Sequence, residues 1–386
     1  MFNFTALPPL SLYIHVPWCI KKCPYCDFNS HKSPDELPEQ DYIDALIRDL
    51  EQELPTIWGR TIQTIFIGGG TPSLFSAEAY ERLFSSLRAL LPISHNAEIT
   101  LEANPGTFEQ HRFADYLSLG INRLSIGIQS FNNQSLTALG RIHDGQQAIK
   151  AVETAHKVGF ENFNLDLMYG LPHQTAKTAR EDIETAIALA PSHLSYYQLT
   201  IEPNTLFHQQ PPTLPDDDPI IDWQLDSQQR MAKAGYQQYE VSAYAKNKQQ
   251  CRHNINYWQF GDYLGIGAGA HGKISDAAQQ SITRRSKQKQ PQAYIESAGT
   301  DKVVLTNEII TTKDIGFEFM LNALRLTDGF PTPLFYQHAG LPISHIDKTL
   351  QLAEQQGLIT WDIHRICPTD KGQRYLNSLV ELFLPE

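Results

Sequence analysis

Cysteine is scarce in this chain, with five in 386 residues. So few thiols in so long a chain do not make a disulfide framework, and a reducing cytoplasm fits best. Positive charge is also short. Lys and Arg number 31 against 43 Asp and Glu, a net charge of -12. That balance argues against a phosphate-tracking surface, and so against nucleic acid as a partner. No apolar run reaches the ~18 residues expected of a spanning helix. The N-terminus has neither a basic segment nor a cleavable apolar stretch, so no disposable signal is expected. There is no repeat array and no low-complexity stretch. What remains is an ordinary globular composition, long enough for two domains.

Against that scarcity, three of the five cysteines crowd into "HVPWCIKKCPYCDFNSH". Cys19, Cys23 and Cys26 are spaced C-x3-C-x2-C. As disulfide partners they would leave one thiol unpaired. A structural zinc site wants a fourth ligand nearby, and Cys251 and Cys367 are far away in the chain. His15 or His31 could complete such a shell, and that alternative stays open. The better reading is a cubane iron–sulfur cluster, which takes one thiolate per iron. Three thiolates leave one iron free for an external chelating ligand.

Strand and helix signals alternate after the cysteines. Tyr13 to Val16 reads as a short strand, and Ile65 to Ile67 as a buried one ending in Gly68-Gly69-Gly70. Residues 39–54 and 77–91 carry helical stripes, such as Ile43, Leu46, Ile47 and Leu50. Further strands are expected at 99–102, 123–129, 162–168 and 194–201, with helices at 144–158 and 175–189. Thr107 with Gln110, and Asp144 with Gln147, read as capping boxes. Six strand–helix alternations predict parallel strands with right-handed crossovers, in a partial barrel or a closed eight-fold one. The chemistry of such barrels sits where strands end. The cysteine loop, Gly68 to Thr71, Glu102 and Gln129 follow successive strands; Arg141 lies in the next loop and Asp166 in the fifth strand. Singly each is equally well a turn or a helix cap; together they converge on one rim.

The cysteine spacing, with an aromatic before the last cysteine, resembles the radical S-adenosylmethionine (SAM) superfamily. The resemblance implies an open, partial (β/α)6 barrel and a [4Fe-4S] cluster on Cys19, Cys23 and Cys26. It also implies SAM on the open iron, an electron donor, and release of a deoxyadenosyl radical by chemistry that belongs to the cofactor. "LYIHVPWC", "GGGTPS", "LEANP", "LSIGIQSF", "LGRIHD" and "NLDLMYGLP" are similar to the motif series of oxygen-independent coproporphyrinogen III oxidase and its relatives. By that similarity Tyr13, Tyr25, Gly69, Gly70 and Thr71 line the SAM site. Glu102, Gln129, Arg141 and Asp166 contact its polar groups, and Thr200 sits beside it. Two departures stand out. The oxidase pattern carries a further cysteine where this chain has Phe28, and a longer N-terminal segment than the 18 residues before Cys19.

"CPYCDFNSH" instead resembles the heme chaperones of the HemW type. So does "CRHNINYWQFGDYLGIGAGAHG", whose His253-Asn254-x-x-Tyr257-Trp258 is similar to their heme-associated H-N-x-x-Y-W signature. That resemblance implies His253 as an axial ligand to heme, with aromatics over the porphyrin. Gly265, Gly267 and Gly269 read as a tight backbone approach, and His271 either packs or faces a cofactor or heme. Arg284, Arg285, Lys287 and Lys289 form a basic cluster, suited to heme propionates or simply solvated.

Three domains are expected: a radical SAM partial barrel over 1–210, a barrel extension with the heme-associated segment over 211–310, and a mainly α, winged-helix-like domain over 311–386. The last has six Lys and Arg against nine Asp and Glu, a net of -3, which argues against DNA and for a lid or docking role. The expected function is a heme chaperone that binds heme, a [4Fe-4S] cluster and SAM. It would deliver heme to acceptor hemoproteins, respiratory by resemblance and reached at the bilayer only transiently. The alternative is an oxygen-independent coproporphyrinogen III oxidase (dehydrogenase) of porphyrin biosynthesis. A ligand-dependent homodimer stays open.

Overall fold

The computed structural model describes residues 2–106 and 110–385. Its frame is a run of parallel strands in chain order: β1 (Leu10–Val16), β2 (Ile62–Gly69), β3 (Ile93–Ala103), β4 (Arg123–Gln129), β5 (Phe163–Tyr169) and β6 (His193–Gln198). The crossovers carry α1 (Glu39–Glu53), α2 (Ala77–Leu90), α3 (Phe113–Ser118), α4 (Gly145–Val158) and α5 (Ala176–Ala188). Strands covered on both faces read as near-continuous apolar runs, and β1 is buried at every position but Tyr13. Helix α1 lays Tyr42, Ile43, Leu46 and Leu50 onto the sheet, the stripe the sequence spacing predicts.

The helix ends have local causes. The Ser76 hydroxyl accepts from the Ala79 N–H at the start of α2. Asp144 and Gln147 form the expected reciprocal box at α4, which Gly159 ends in the left-handed region. Thr107, of the other capping signal, lies outside the described residues. Gly120, with φ of 98°, follows α3.

The six expected strands do not close on themselves, and the sheet continues at both edges. Helix α6 (Asp217–Lys233) leads to β7 (Gln237–Glu240) and β8 (Ala243–Ala245), which add antiparallel beside β6. On the other side, α7 (Arg252–Trp258) precedes β9 (Asp262–Ile266), which pairs parallel to β1. Strands β10 (His271–Asp276), β11 (Ser281–Lys287) and β12 (Val304–Ile309) then continue antiparallel, giving a 12-stranded sheet.

Two buried ionic groups bolt this extension to the barrel. Lys287 Nζ lies 2.5 Å from Asp49 Oδ1 and 2.7 Å from Glu53 Oε1, both on α1. Lys273 Nζ and Arg60 Nη1 each lie 2.8 Å from the Asp262 carboxylate. The basic stretch at 284–289 is therefore not one cationic rim. Lys287 is buried, Arg285 pairs with Glu53 and Arg284 with Glu318. Lys289 alone of the four is exposed.

Residues from Ile315 onward build a second core around Phe319, Phe330, Phe335, Leu350, Ile366 and Leu379. Its helices include Ile315–Ala323, Pro333–Ala339 and Asp347–Gln355. Three short antiparallel strands, Phe330–Pro331, Arg365–Pro368 and Ile359–Trp361, flank them. Phe2 and Phe4 pack into this core, and the Asn3 N–H donates to the Gly340 carbonyl at 2.8 Å. Among the described residues no helix is long and apolar enough to cross a membrane.

Lys287→Met removes the cation from between two buried carboxylates. Breaking a buried pair by removing one partner costs about 3–5 kcal/mol. The expected outcome is a loss of unfolding free energy of that size in urea denaturation, seen as a lower midpoint, with a smaller loss for Arg285→Met, whose side chain is one-third exposed.

Candidate cluster and cofactor site

The site grows from the end of β1. Beyond Pro17, Trp18–Cys19 pairs with His31–Lys32, so the cysteine loop is tied at both ends. Lys22 Nζ donates to the carbonyls of Phe28 and Ser30 at 3.2 and 3.1 Å, holding the loop's shape. Cys19, Cys23 and Cys26 are free, half-buried thiols that line one cavity of about 350 Å³.

The glycines after β2 form the floor. A Cβ on Gly70 would stand 2.5 Å from the Trp18 carbonyl oxygen. The N–H groups of Gly70 and Thr71 donate at 2.7 Å to Val16 and Trp18, so two backbones touch directly beneath the cysteines. The Gly69 N–H donates to Glu102 Oε2 at 3.0 Å. Burial, with the charge of Asp166 adding to it, pushes the Glu102 carboxyl up to about 7. Burial also raises Asp166, against hydrogen bonds donated by Asn164 and Ser125.

Gln129 ends β4 with φ of 67°, an unusual backbone for its type that turns its amide into the cavity. Its Oε1 accepts from the Tyr197 hydroxyl at 2.8 Å. Arg141 Nη2 donates to Asn104 Oδ1 and the Gly127 carbonyl at 2.7 and 2.8 Å. Its Nη1 reaches Cys23 Sγ at 3.6 Å, while its buried Nε has no partner among the described residues.

One cavity thus collects Cys19, Cys23, Cys26, Tyr25, Gly69, Gly70, Thr71, Glu102, Gln129, Arg141 and Asp166. Three thiols suit a cubane with an open iron, and an arginine with an unused N–H beside buried carboxyls suits an amino-acid head group and hydroxyls. Asn104, Ser125 and Tyr197 line the same space and were not singled out from the sequence. Asn104 carried a signal, since it is the first residue past the end of β3, where barrel chemistry gathers.

Other expected residues stand elsewhere. Thr200 is exposed and its hydroxyl donates to Glu202 at 2.8 Å, outside this cavity. Tyr13 faces a neighbouring cavity of about 700 Å³, which shares Cys26 and Phe28 with the first. His253 is not on either wall. It is buried, with Nδ1 at 2.8 Å from Thr64 Oγ1 and Nε2 at 2.8 Å from the Tyr257 hydroxyl. Burial pushes it down to about 3, so the ring is neutral, and both nitrogens are engaged. His15 is equally engaged, by the Tyr13 hydroxyl and the Asn29 carbonyl, which removes it from a zinc shell. Among the described residues no three His, Cys, Asp or Glu converge on a single metal ion.

A thiol-bearing loop after the first strand of an open parallel barrel, above a glycine floor and a ring of strand-end polar groups, defines the class of radical SAM proteins. The Radical SAM superfamily matches residues 13–186 and the HemN C-terminal domain matches residues 310–375. The chain belongs to the HemW family. It is 49% identical to heme chaperone HemW of Escherichia coli strain K12, over 98% of this chain and 99% of that one. It is 33% identical to heme chaperone HemW of Bacillus subtilis strain 168, over 97% and 99%. The solved coproporphyrinogen III oxidase (HemN) of Escherichia coli shares the fold, with a TM-score of 0.82 at 24% identity, over 98% of this chain and 90% of that one.

Gly70→Ala forces the Trp18–Cys19 backbone away from the floor. The expected result is a several-fold loss of iron and sulfide after anaerobic reconstitution, with unchanged far-ultraviolet circular dichroism. Glu102 gives a pH signature. Its native carboxyl holds a proton up to about 7, where an ordinary glutamate releases it near 4.5. The native state therefore binds more protons through that window, and stability is lost as pH rises through it. Glu102→Gln should raise the melting temperature of nucleotide-free protein at pH 8 and leave it unchanged at pH 4.

Proposed function

We propose that the protein is a heme chaperone that holds a [4Fe-4S] cluster and SAM in one cavity, receives heme in the next, and delivers it to acceptor hemoproteins. In this reading Cys19, Cys23 and Cys26 ligate the cluster. Arg141 faces the methionine carboxylate, with Asp166 and Gln129 toward the ribose hydroxyls and Glu102 toward a cationic group. A cluster held by these thiolates would offer one-electron chemistry toward a sulfonium in the same cavity, with a separate electron donor. The chain's own part is to orient the nucleotide, exclude water and keep buried carboxyls ready for a cation.

The observation that carries the reading is the shared wall of the two cavities. Cys26 and Phe28 face both. The larger space lies in the ~300–1,000 Å³ range of small-molecule sites. Whole-length likeness to proteins named heme chaperones supports heme as the occupant. Phe28 stands where the oxidase pattern has a cysteine, and it is 61% exposed. An apolar ring there suits a porphyrin face. The finer expectations belong to the same proposal: respiratory acceptors, action in the cytoplasm with transient approach to the membrane, and a homodimer.

Anaerobic reconstitution with iron and sulfide, followed by heme and SAM titrations on one sample, tests this. Saturable heme binding is expected, with no cluster chromophore when the three cysteines are replaced by serine. Coproporphyrinogen III with SAM and reductant should give no vinyl product. Vinyl product would return the oxidase reading, and absence of saturable heme binding would remove the chaperone one.

A further inference from the structure

The turn that follows β4 is strained at one residue. Gln129 is not a glycine, yet its φ of 67° is left-handed, and the Ser130 N–H closes on the Ile128 carbonyl at 2.9 Å. The pairing of β4 with β5 also shifts register between Ile126 and Gln129. That backbone carries the Gln129 amide over Gly127, where a Cβ would stand 3.1 Å from Gln129 Nε2 and 3.5 Å from Arg141 Nη2. A side-chain-bearing residue keeps such a conformation only when its surroundings over-determine it.

Those surroundings converge on one carboxylate. Asp182, in the middle of α5, is buried and lines neither cavity. The Ser130 hydroxyl donates to its Oδ2 at 2.7 Å, and the Phe131 N–H donates to its Oδ1 at 2.7 Å. The same Ser130 oxygen accepts from the Asn132 N–H at 3.0 Å. From the turn after β5, Gln174 Nε2 reaches Asp182 Oδ2 at 3.5 Å, while its Oε1 accepts from the Leu171 N–H at 3.1 Å. Asp182 therefore ties two successive rim turns together from behind. A buried carboxylate is costly unless its lone pairs are taken, and here the two turns take them.

We infer that Asp182 is a positioning residue for the nucleotide: by fixing Ser130 and Phe131 it holds Gln129 in the left-handed conformation that keeps the amide in the cavity. The inference rests on the reading of that cavity as the SAM site, and adds to it a residue that touches no ligand. Without Asp182 the turn relaxes toward an ordinary backbone, and the amide loses its place between Tyr197 and Arg141. The cysteine loop is rooted on β1 and the β2 floor, so cluster content and SAM affinity separate.

The test is a SAM titration of cluster-loaded protein under anaerobic conditions, by equilibrium dialysis, with the electron paramagnetic resonance of the reduced cluster as a second readout. Asp182→Ala should weaken SAM binding roughly tenfold, the size expected when a strained residue is released, with iron and sulfide content unchanged. Ser130→Ala removes one of the two short bonds and little packing. It should give a smaller loss in the same direction, and it takes the place of Asp182→Ala in every comparison if that variant does not fold. A double-mutant cycle separates positioning from general loosening. Gln129→Gly adopts the left-handed turn freely and carries no amide. It should weaken SAM binding by itself, and in its background Asp182→Ala should cost nothing further. Wild-type affinity of the folded variant, or the same loss with and without the Gln129 amide, overturns the inference and leaves the SAM reading standing. If Gln129→Gly binds SAM as wild type does, the placing of Gln129 in that site falls and takes the inference with it.

Discussion

The site depends on how the chain leaves β1. Where it exits toward the cysteines, glycines press on it from both sides. Gly70 of the β2 floor meets the Trp18 carbonyl, and Gly267 beyond β9 meets the His15 carbonyl, each at a distance where any Cβ would collide. Asn29, near the far end of the cysteine loop, is locked in the same way. Its Nδ2 donates to the carbonyls of Ala268 and Lys289, both at 2.9 Å, and Gly269 lies against it. The loop with the three thiols is therefore not a free excursion on a barrel rim. It is held at its root by main-chain contacts that only glycine permits, and both cavities take their shape from it.

Beneath the rim the barrel is filled with polar groups. Asn164 Oδ1 accepts from Ser195 and lies 2.7 Å from His193 Nδ1, while His193 Nε2 meets the Tyr239 hydroxyl at 2.8 Å. Thr64 bridges Ser11 and His253. A buried network of this kind holds a unique arrangement only when its members are satisfied, and then it is stiff. Burial keeps His193 and His253 neutral, so the network holds its rings by hydrogen bonds and without ionic charge. Glu102 and Asp166 sit at its upper edge, where burial works against their ionisation until a cationic group arrives. Stiffness below and poised charge above are what a site needs to hold a flexible nucleotide in one pose.

Much of this was legible in the sequence because local signals and tertiary demand agreed. Apolar runs marked the six parallel strands, Asp144 with Gln147 marked a real helix start, and strand-end Glu102 and Gln129 fell on the rim. The extension was opaque for a physical reason. Its strands carry Lys273, Arg284, Arg285 and Lys287, charges that hide a buried pattern until Asp262, Glu318, Glu53 and Asp49 are seen to neutralise them. The pairing of Lys287 and Arg285 with α1, across more than two hundred residues, leaves no local trace. A motif likewise names residues and not their placement: His253 lies behind Tyr257, bonded to its hydroxyl. Thr200 stands exposed outside the cavity because β6 ends at Gln198, two residues before it.

The shared wall has a consequence for how cofactor and cargo influence each other. Cys26 and Phe28 occupy one short arc of the loop, and an occupant of either cavity touches that arc. The Ser30 hydroxyl at 3.6 Å from Cys26 Sγ and the Lys22 bonds to Phe28 and Ser30 tie the arc together. Any ligand that favours one position of it must then change affinity at the neighbouring cavity, and by thermodynamic reciprocity the effect is equal in both directions. A porphyrin seated against Phe28 would be felt at the thiol two residues away, and a change at the cluster would be felt by the porphyrin. That coupling needs no long pathway through the barrel, because the two sites meet at the same two residues.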